Sequence, residues 1–304
     1  MADSDPASPS PRTFNAIANM VTGPTVNFVV QFWGVRGKVS APGKETVRYG
    51  GNTSCIEMRV GSKRLIFDGG SGLRLLGNHL LRQMPLEAYI FFTHCHWDSI
   101  QGFPFFTPAF IPGNCFHIYG ARATNGDSIE KRLGGQMLAP NFPVPLQVMQ
   151  SELKFYELGS SHKITVDDLV VEAVLLNPAS SSMGYRVTWK GHSVVYAIAH
   201  SQSPDRLDHN LLHLARHADL LILDAPCNIR ADDFLKPSPL DWQDKLWQTG
   251  MATAKAAGVK RVVMSHYHPD HDDDFLDWME SQLKSVFPND VLAREGMIVP
   301  VCSV

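Results

Sequence analysis

Apolar and polar positions alternate at a period of two over a series of short runs, and recur at helical spacing over several longer ones. Val26 to Trp33 predicts a first strand, which Gly34-Val35-Arg36-Gly37 turns. Ile56–Val60 and Arg64–Phe67 predict two more, the second closing on the glycine-rich Asp68-Gly69-Gly70-Ser71-Gly72-Leu73, where backbone can approach a site closely. Leu73 to Met84 has helical spacing, and Leu86 to Phe92 is an apolar strand. A loop rich in Pro and Phe then leads to strand Cys115–Tyr119 and helix Ser128–Met137, which Pro140, Pro143 and Pro145 stop. A second set of strands follows over Glu152–Glu157, Lys163–Thr165, Leu169–Leu176, Met183–Trp189 and Ser193–Ile198, with Lys190-Gly191 as a hairpin turn. Helices over Arg206–His217, Trp242–Ala257 and Asp273–Val286 alternate with strands Leu220–Asp224, Val259–Ser265 and Met297–Val301. Two strand-rich halves, each finished by helices, predict an α/β fold of four layers, αββα, with two sheets face to face under helices on both sides.

The apolar strand that runs up to Phe92 ends at Thr93, so His94, His96 and Asp98 fall in the turn that follows. Imidazole nitrogen and carboxylate oxygen suit zinc, iron or manganese, and alternation within a turn lets all three donors face one cavity. The spacing alone also fits surface or capping histidines beside a polar Asp.

Composition narrows the class little: 44% hydrophobic and 19% charged residues over 304 positions are ordinary for a globular chain with a sizeable core. A net charge of −3 gives no global field to recruit nucleic acid. Cys55, Cys95, Cys115, Cys227 and Cys302 are odd in number, widely spaced and free of any Cys-x-x-Cys pair, which argues against a disulfide framework and for a reducing cytoplasm. The first 13 residues, rich in Ser, Pro and Asp, read as a flexible tail before a single domain from residue 14 to 304; no apolar run approaches 18 residues.

Thr93-His94-x-His96-x-Asp98 with Gly102 resembles the Thr-His-x-His-x-Asp-His…Gly signature of the metallo-β-lactamase fold, and Ser99 stands where that signature has its last histidine. Phe32-Trp33-Gly34-Val35-Arg36-Gly37, Phe67-Asp68-Gly69-Gly70-Ser71-Gly72, Gly184-Tyr185-Arg186, Ala218 through Ala225 and His266 through Asp274 extend the resemblance over residues 27 to 304. They are similar to the branch of tRNA 3′-processing endonucleases and cyclic-nucleotide and phosphonate-pathway phosphodiesterases, which implies phosphodiester substrates and a dinuclear metal centre. Mapped residue by residue, the resemblance keeps His94, His96, Asp98 and His266 as ligands. Asn177 replaces the third histidine, Ala199 the bridging Asp, and a further catalytic histidine is replaced near Asp244. Without a bridging carboxylate two adjacent cations repel unopposed, so one ion at most is expected, or none. Four ligands with no open position would make a closed site.

His200 is either a substitute ligand or a loop histidine, and His268 and His271 are either near the site or in a solvated turn. Cys95 is expected to point away from its neighbours into the core, and Asp68 to orient a ligand histidine rather than bind metal. The run Asp272-Asp273-Asp274 reads as a helix N-terminus. Trp33, Trp97, Phe103, Phe105 and Phe106 gather near the predicted mouth, either as core or as a planar-ligand pocket; Arg36 and Arg186 are candidates for an anion or for surface ion pairs. Two functions follow. One is a non-catalytic or altered-function member that uses the cavity for a phosphate-containing small molecule or a protein partner. The other is an active mononuclear hydrolase in which Asp98 or His268 handles the proton.

Overall fold

The computed structural model describes residues 26–198, 207–225, 245–286, 288–289 and 291–303. Two seven-stranded sheets form it. The first holds β1 (Val26–Gly34), β2 (Cys55–Val60), β3 (Lys63–Phe67), β4 (Glu87–Phe91), β5 (Cys115–Ala121) and β6 (Glu152–Leu158) in sequence order, with the last strand, β14 (Ile298–Ser303), beside β1. The second runs from β7 (Ser161–Val166) through β8 (Leu169–Asn177), β9 (Ser182–Trp189), β10 (His192–Ala197), β11 (Leu220–Asp224) and β12 (Val262–Ser265) to β13 (Val291–Leu292). Strands β3 to β6 are parallel in one sheet and β10 to β13 in the other.

The reason for the layering lies in the two faces of each strand. On β4, Tyr89 and Phe91 point into the space between the sheets, while Ala88 and Ile90 point to the outside. Between the sheets Phe67 stacks on Phe91 at 5.2 Å and meets Tyr185 and Tyr196 from the other sheet at 5.6 Å. The outer face of the first sheet is covered by α1 (Gly72–Leu80), whose Leu73, Leu76 and Leu80 bury against Ile66 and Ile90, and by α3 (Ile129–Gly135) through Ile129 and Leu133. On the second sheet α4 (His209–Ala215) and α5 (Lys245–Ala256) pack beside β8 to β11, and α6 (Asp273–Val286) beside β13. Burial on both faces is why the parallel strands read as near-continuous apolar runs.

The αββα sandwich is as the pattern predicts, with several local differences. Lys190 (φ 48) and Gly191 (φ 83) make the two-residue turn between β9 and β10, whose paired positive φ values match strand twist. The chain after His96 is not an open turn: α2 (Trp97–Ile100) coils it, and Gly102 then lies so close to Gly70 that a Cβ would come 1.9 Å from that carbonyl oxygen. β13 gives no periodic signal in two residues. The predicted tail, the starts of the helices expected from Arg206 and Trp242, Ala199, His200 and Asp244 lie outside the described residues. Among those described, no helix is long and apolar enough to cross a membrane.

Candidate metal centre

Parallel strands from both sheets end at one place. After β4, Phe92 and Thr93 leave the sheet and are held from the opposite one: the Tyr185 hydroxyl donates to the Phe92 carbonyl at 2.6 Å, and Met183 N–H to the Thr93 carbonyl at 2.8 Å. The next residues therefore start from a fixed point. His94 and Asp98 are buried and His96 is exposed, and one donor atom from each lies within 4.8 Å of the other two. The two imidazole rings stand perpendicular, centroids 4.5 Å apart.

Behind His94 sits a chain of polar contacts. The fully buried Asp68 carboxylate accepts from Thr93 N–H at 2.8 Å, from the Thr93 hydroxyl at 2.9 Å and from the Tyr196 hydroxyl at 2.8 Å. Thr93 Oγ1 is also 2.8 Å from His94 Nδ1. With the hydroxyl proton directed at Asp68, Thr93 accepts from Nδ1–H, which leaves Nε2 as a bare lone pair. Burial lowers the His94 pKa to about 4 against the opposing charge of Asp98, so the ring is neutral near pH 7, as a ligand must be. Asp68 thus orients His94 through Thr93 rather than by direct contact. Burial raises Asp68 itself to about 7, the hydrogen bonds from Thr93 and Tyr196 only partly offsetting it.

The second sheet contributes the other wall. Asp224 ends β11, and His266 follows β12 with φ 65, a left-handed conformation. His266 Nε2 is 2.8 Å from Asp98 Oδ2, and Nδ1 is 3.1 Å from Asp224 Oδ1. Burial acts to lower His266, but the two carboxylates outweigh it and hold the ring protonated, well above the ordinary histidine range. Burial likewise acts to raise Asp98, yet His266 and the Lys38 N–H, donating at 2.8 Å, hold its carboxyl well below the usual range. The loop after β1 brings that N–H in, and Gly37 is obligatory beneath the ring: a Cβ there would lie 2.8 Å from His266 Nε2.

His268 and His271 are not in a solvated turn. Arg36, fully buried, donates to the carbonyls of Gly50 at 2.8 Å, His268 at 3.1 Å and His271 at 2.5 Å, so the segment from His266 onward is clamped to the loop after β1. Through Nε and Nη1 Arg36 acts as a structural clamp. Burial depresses His268 to about 4 and His271 to about 3. His268 Nδ1 accepts from Asp270 N–H at 3.2 Å, and neither histidine joins the donors that meet at His94. Arg186 binds the Leu214 and Arg216 carbonyls at the end of α4. Asn177 accepts from Ala179 N–H at 3.1 Å, which turns its side-chain oxygen into its own loop. Ser99 is buried with Oγ 3.5 Å from His94 Nδ1. Cys95 packs into the outer apolar layer, and burial pushes its thiol up to about 12. Asp272 caps Phe275 N–H at 2.7 Å at the start of α6, while Asp273 accepts from the N–H groups of Arg48 and Tyr49. Phe103 and Phe106 are core, Trp33 packs on His79, and Trp97 and Phe105 remain exposed.

Three groups escaped the reading of the sequence: Thr93 as a relay, the Lys38 N–H, and Asp224. Only Asp224 left a signal there, as a lone carboxylate ending the apolar run Leu220-Leu221-Ile222-Leu223.

The depressed histidines set a pH dependence. His94, His268 and His271 resist protonation when folded and accept it near pH 6.5 when unfolded, so the unfolded chain binds more protons as pH falls below 6.5. Unfolding free energy is expected to drop between pH 6.5 and about 4, measured by urea denaturation at constant ionic strength. A flat profile over that window would contradict the burial of these rings.

A His-x-His-x-Asp loop at the C-terminal ends of parallel strands, in the seam of an αββα sandwich, defines a metallo-β-lactamase-fold protein with metallohydrolase relatives. The chain belongs to the β-lactamase superfamily domain family, whose pattern matches residues 63–267. No curated protein matches the sequence. Among solved structures, the human tRNase Z short form is 18% identical, covering 90% of this chain and 99% of that one, with a TM-score of 0.58. A diphosphatase of the PhnP family is 15% identical over 91% and 100%, TM-score 0.62, and Zn2+-bound PqqB from Methylobacterium extorquens is 13% identical over 89% and 99%, TM-score 0.61.

Proposed function

We propose that this chain is a one-ion member of the family, in which His94, His96 and Asp98 hold a single divalent cation and the site binds a phosphate-containing ligand rather than running two-metal hydrolysis. The observation that carries this reading is the donor count. Among the described residues His94, His96 and Asp98 converge, His266 reaches them at Asp98 with its other nitrogen on Asp224, and Asn177 faces its own loop. Two cations a few ångströms apart would need more negative donors than this.

The three residues fit a metal. His94 is neutral with Nε2 free, its other nitrogen is held by Thr93, and Asp98 is ionised. Zinc, iron or manganese would each accept two imidazoles and a carboxylate. A bound ion would supply Lewis acidity toward a phosphoryl oxygen. His266, kept charged between Asp98 and Asp224, adds positive charge on the same wall. Trp97, exposed next to His96, offers a flat apolar face at the mouth for a base or other planar group.

A second reading has its own support: three protein ligands with a position left open is the arrangement of catalytic zinc. In that case the relatives named as tRNase Z and a diphosphatase indicate the substrate class, with Asp98 handling the proton, or His266, which touches Asp98, in place of the His268 expected from the sequence.

The test is metal analysis of full-length protein together with turnover of a generic phosphodiester with and without chelator. The one-ion binding reading expects one ion at the His94 loop, counted as the difference in metal content between wild type and His94→Ala, and no chelator-sensitive turnover. Turnover that vanishes with chelator and in His94→Ala would select the mononuclear hydrolase instead. Two ions per chain retained at the His94 loop would sink both.

A further inference from the structure

We propose that Glu87, Cys115 and His117 form a second divalent-cation site, suited to zinc or another thiophilic ion, on the rim of the first sheet and separate from the His94 loop. Glu87 opens β4 and Cys115 opens β5, whereas His94 follows the opposite end of β4. Seven residues of extended chain put the two places roughly 20 Å apart.

The sheet builds this cluster. β4 and β5 pair in parallel with Glu87 opposite Cys115 and Tyr89 opposite His117, so alternation puts Glu87, Cys115 and His117 on one face. One donor atom of each lies within 4.8 Å of the others. Cys115 Sγ is 3.7 Å from His117 Nε2, and a tetrahedral zinc with Zn–S about 2.3 Å and Zn–N about 2.0 Å holds its sulfur and nitrogen about 3.5 Å apart. Glu87 Oε1 is 2.8 Å from the same nitrogen. A surface ion pair between Glu87 and His117 accounts for that last contact. It does not account for a thiol placed at ligand distance from the same ring atom.

The surroundings of His117 resemble those of a metal ligand. Its ring is stacked between Tyr89, at 4.7 Å and 11°, and Tyr156, at 6.0 Å and 17°. Nδ1 is 3.3 Å from the Tyr156 hydroxyl, which can accept from Nδ1–H once an ion takes the place of the proton that Nε2 shares with Glu87. On the other side of Cys115, the Glu152 carboxylate accepts from the thiol and is itself paired with Lys154 Nζ at 3.2 Å, so a fourth oxygen donor is at hand. Burial and Glu152 keep the thiol protonated in the absence of metal, and an incoming ion would displace that proton.

Cobalt(II) titration of reduced, metal-stripped, full-length protein tests the proposal, because the thiolate signature separates the two sites. The His94 loop offers nitrogen and oxygen donors, with Cys95 turned into the apolar layer, so a sulfur-to-cobalt charge-transfer band that disappears in Cys115→Ser reports the Cys115 site. Wild type is expected to show the band, His94→Ala to keep it, and Cys115→Ser to lose it while still binding cobalt at the His94 loop. Tyr156→Phe is expected to weaken the band's titration about tenfold, as loss of an outer hydrogen-bond partner does. No band in the wild type, or a band that survives Cys115→Ser, overturns the proposal. Should Cys115→Ser unfold, judged by circular dichroism, His117→Gln gives the same reading.

Discussion

Arg36→Ala is expected to lower the unfolding free energy by about 3–5 kcal/mol, since two buried carbonyls and one half-buried one lose their donor and each unsatisfied buried group costs roughly 1–3 kcal/mol. Those carbonyls belong to Gly50, His268 and His271, two segments more than 200 residues apart in sequence. Arg36→Lys should recover only part of the loss, because an ammonium cannot present a planar fork to acceptors on two sides. Equilibrium urea unfolding measures the effect. Weaker metal binding at the His94 loop is expected to accompany it, as His266 sits one residue from Tyr267, whose N–H donates to the Val35 carbonyl and whose own carbonyl accepts from Gly37. A loss below about 1 kcal/mol would mean the carbonyls find water and the clamp is not one.

Asp68→Ala is the second large effect. It strips the acceptor from Thr93 N–H, the Thr93 hydroxyl and the Tyr196 hydroxyl, all buried, and is expected to cost about 2–4 kcal/mol. It should also weaken metal binding by about 10–100-fold, because Thr93 no longer fixes the His94 tautomer. The sign of its pH dependence follows from burial, which lifts Asp68 to about 7. Between the ordinary carboxylate range near 4 and about 7 the folded chain holds a proton that the unfolded chain has released. The favourable contribution of this group is therefore complete below about pH 4 and declines as pH rises to about 7, so the stability gap between wild type and Asp68→Ala narrows over that interval. A gap that stays constant would mean the carboxylate is ionised throughout. Unchanged metal affinity in the variant would show that His94 needs no relay.

The layers and nearly every strand were legible in the sequence because burial on both faces writes long apolar runs, as in Leu86–Phe92 and Leu220–Leu223. The loop at His94 was legible for a different reason: its spacing in sequence is also its spacing in space. What stayed hidden depends on contacts between distant segments. Nothing local says that the Lys38 N–H reaches Asp98, that Thr93 spends its hydroxyl on Asp68, or that Asp224 and Asp98 share one ring. Polar neighbours in sequence left a solvated turn open for His268 and His271, and it is the Arg36 contacts with their carbonyls that hold the segment inward. Asn177 ends β8 one residue past the strand expected to Leu176, and where its amide turns is decided by the Ala179 N–H.

Residues 92 and 93 hang from Tyr185 and Met183 of the facing sheet, so the spacing of the donors at His94 is a gauge of how the two halves are aligned. A slip of one residue between them would carry this loop by about 3.3 Å, farther than any coordination bond can stretch. Substitutions deep in β9, remote from every ligand, would then announce themselves first as lost affinity for the ion and only afterwards as a lower melting temperature.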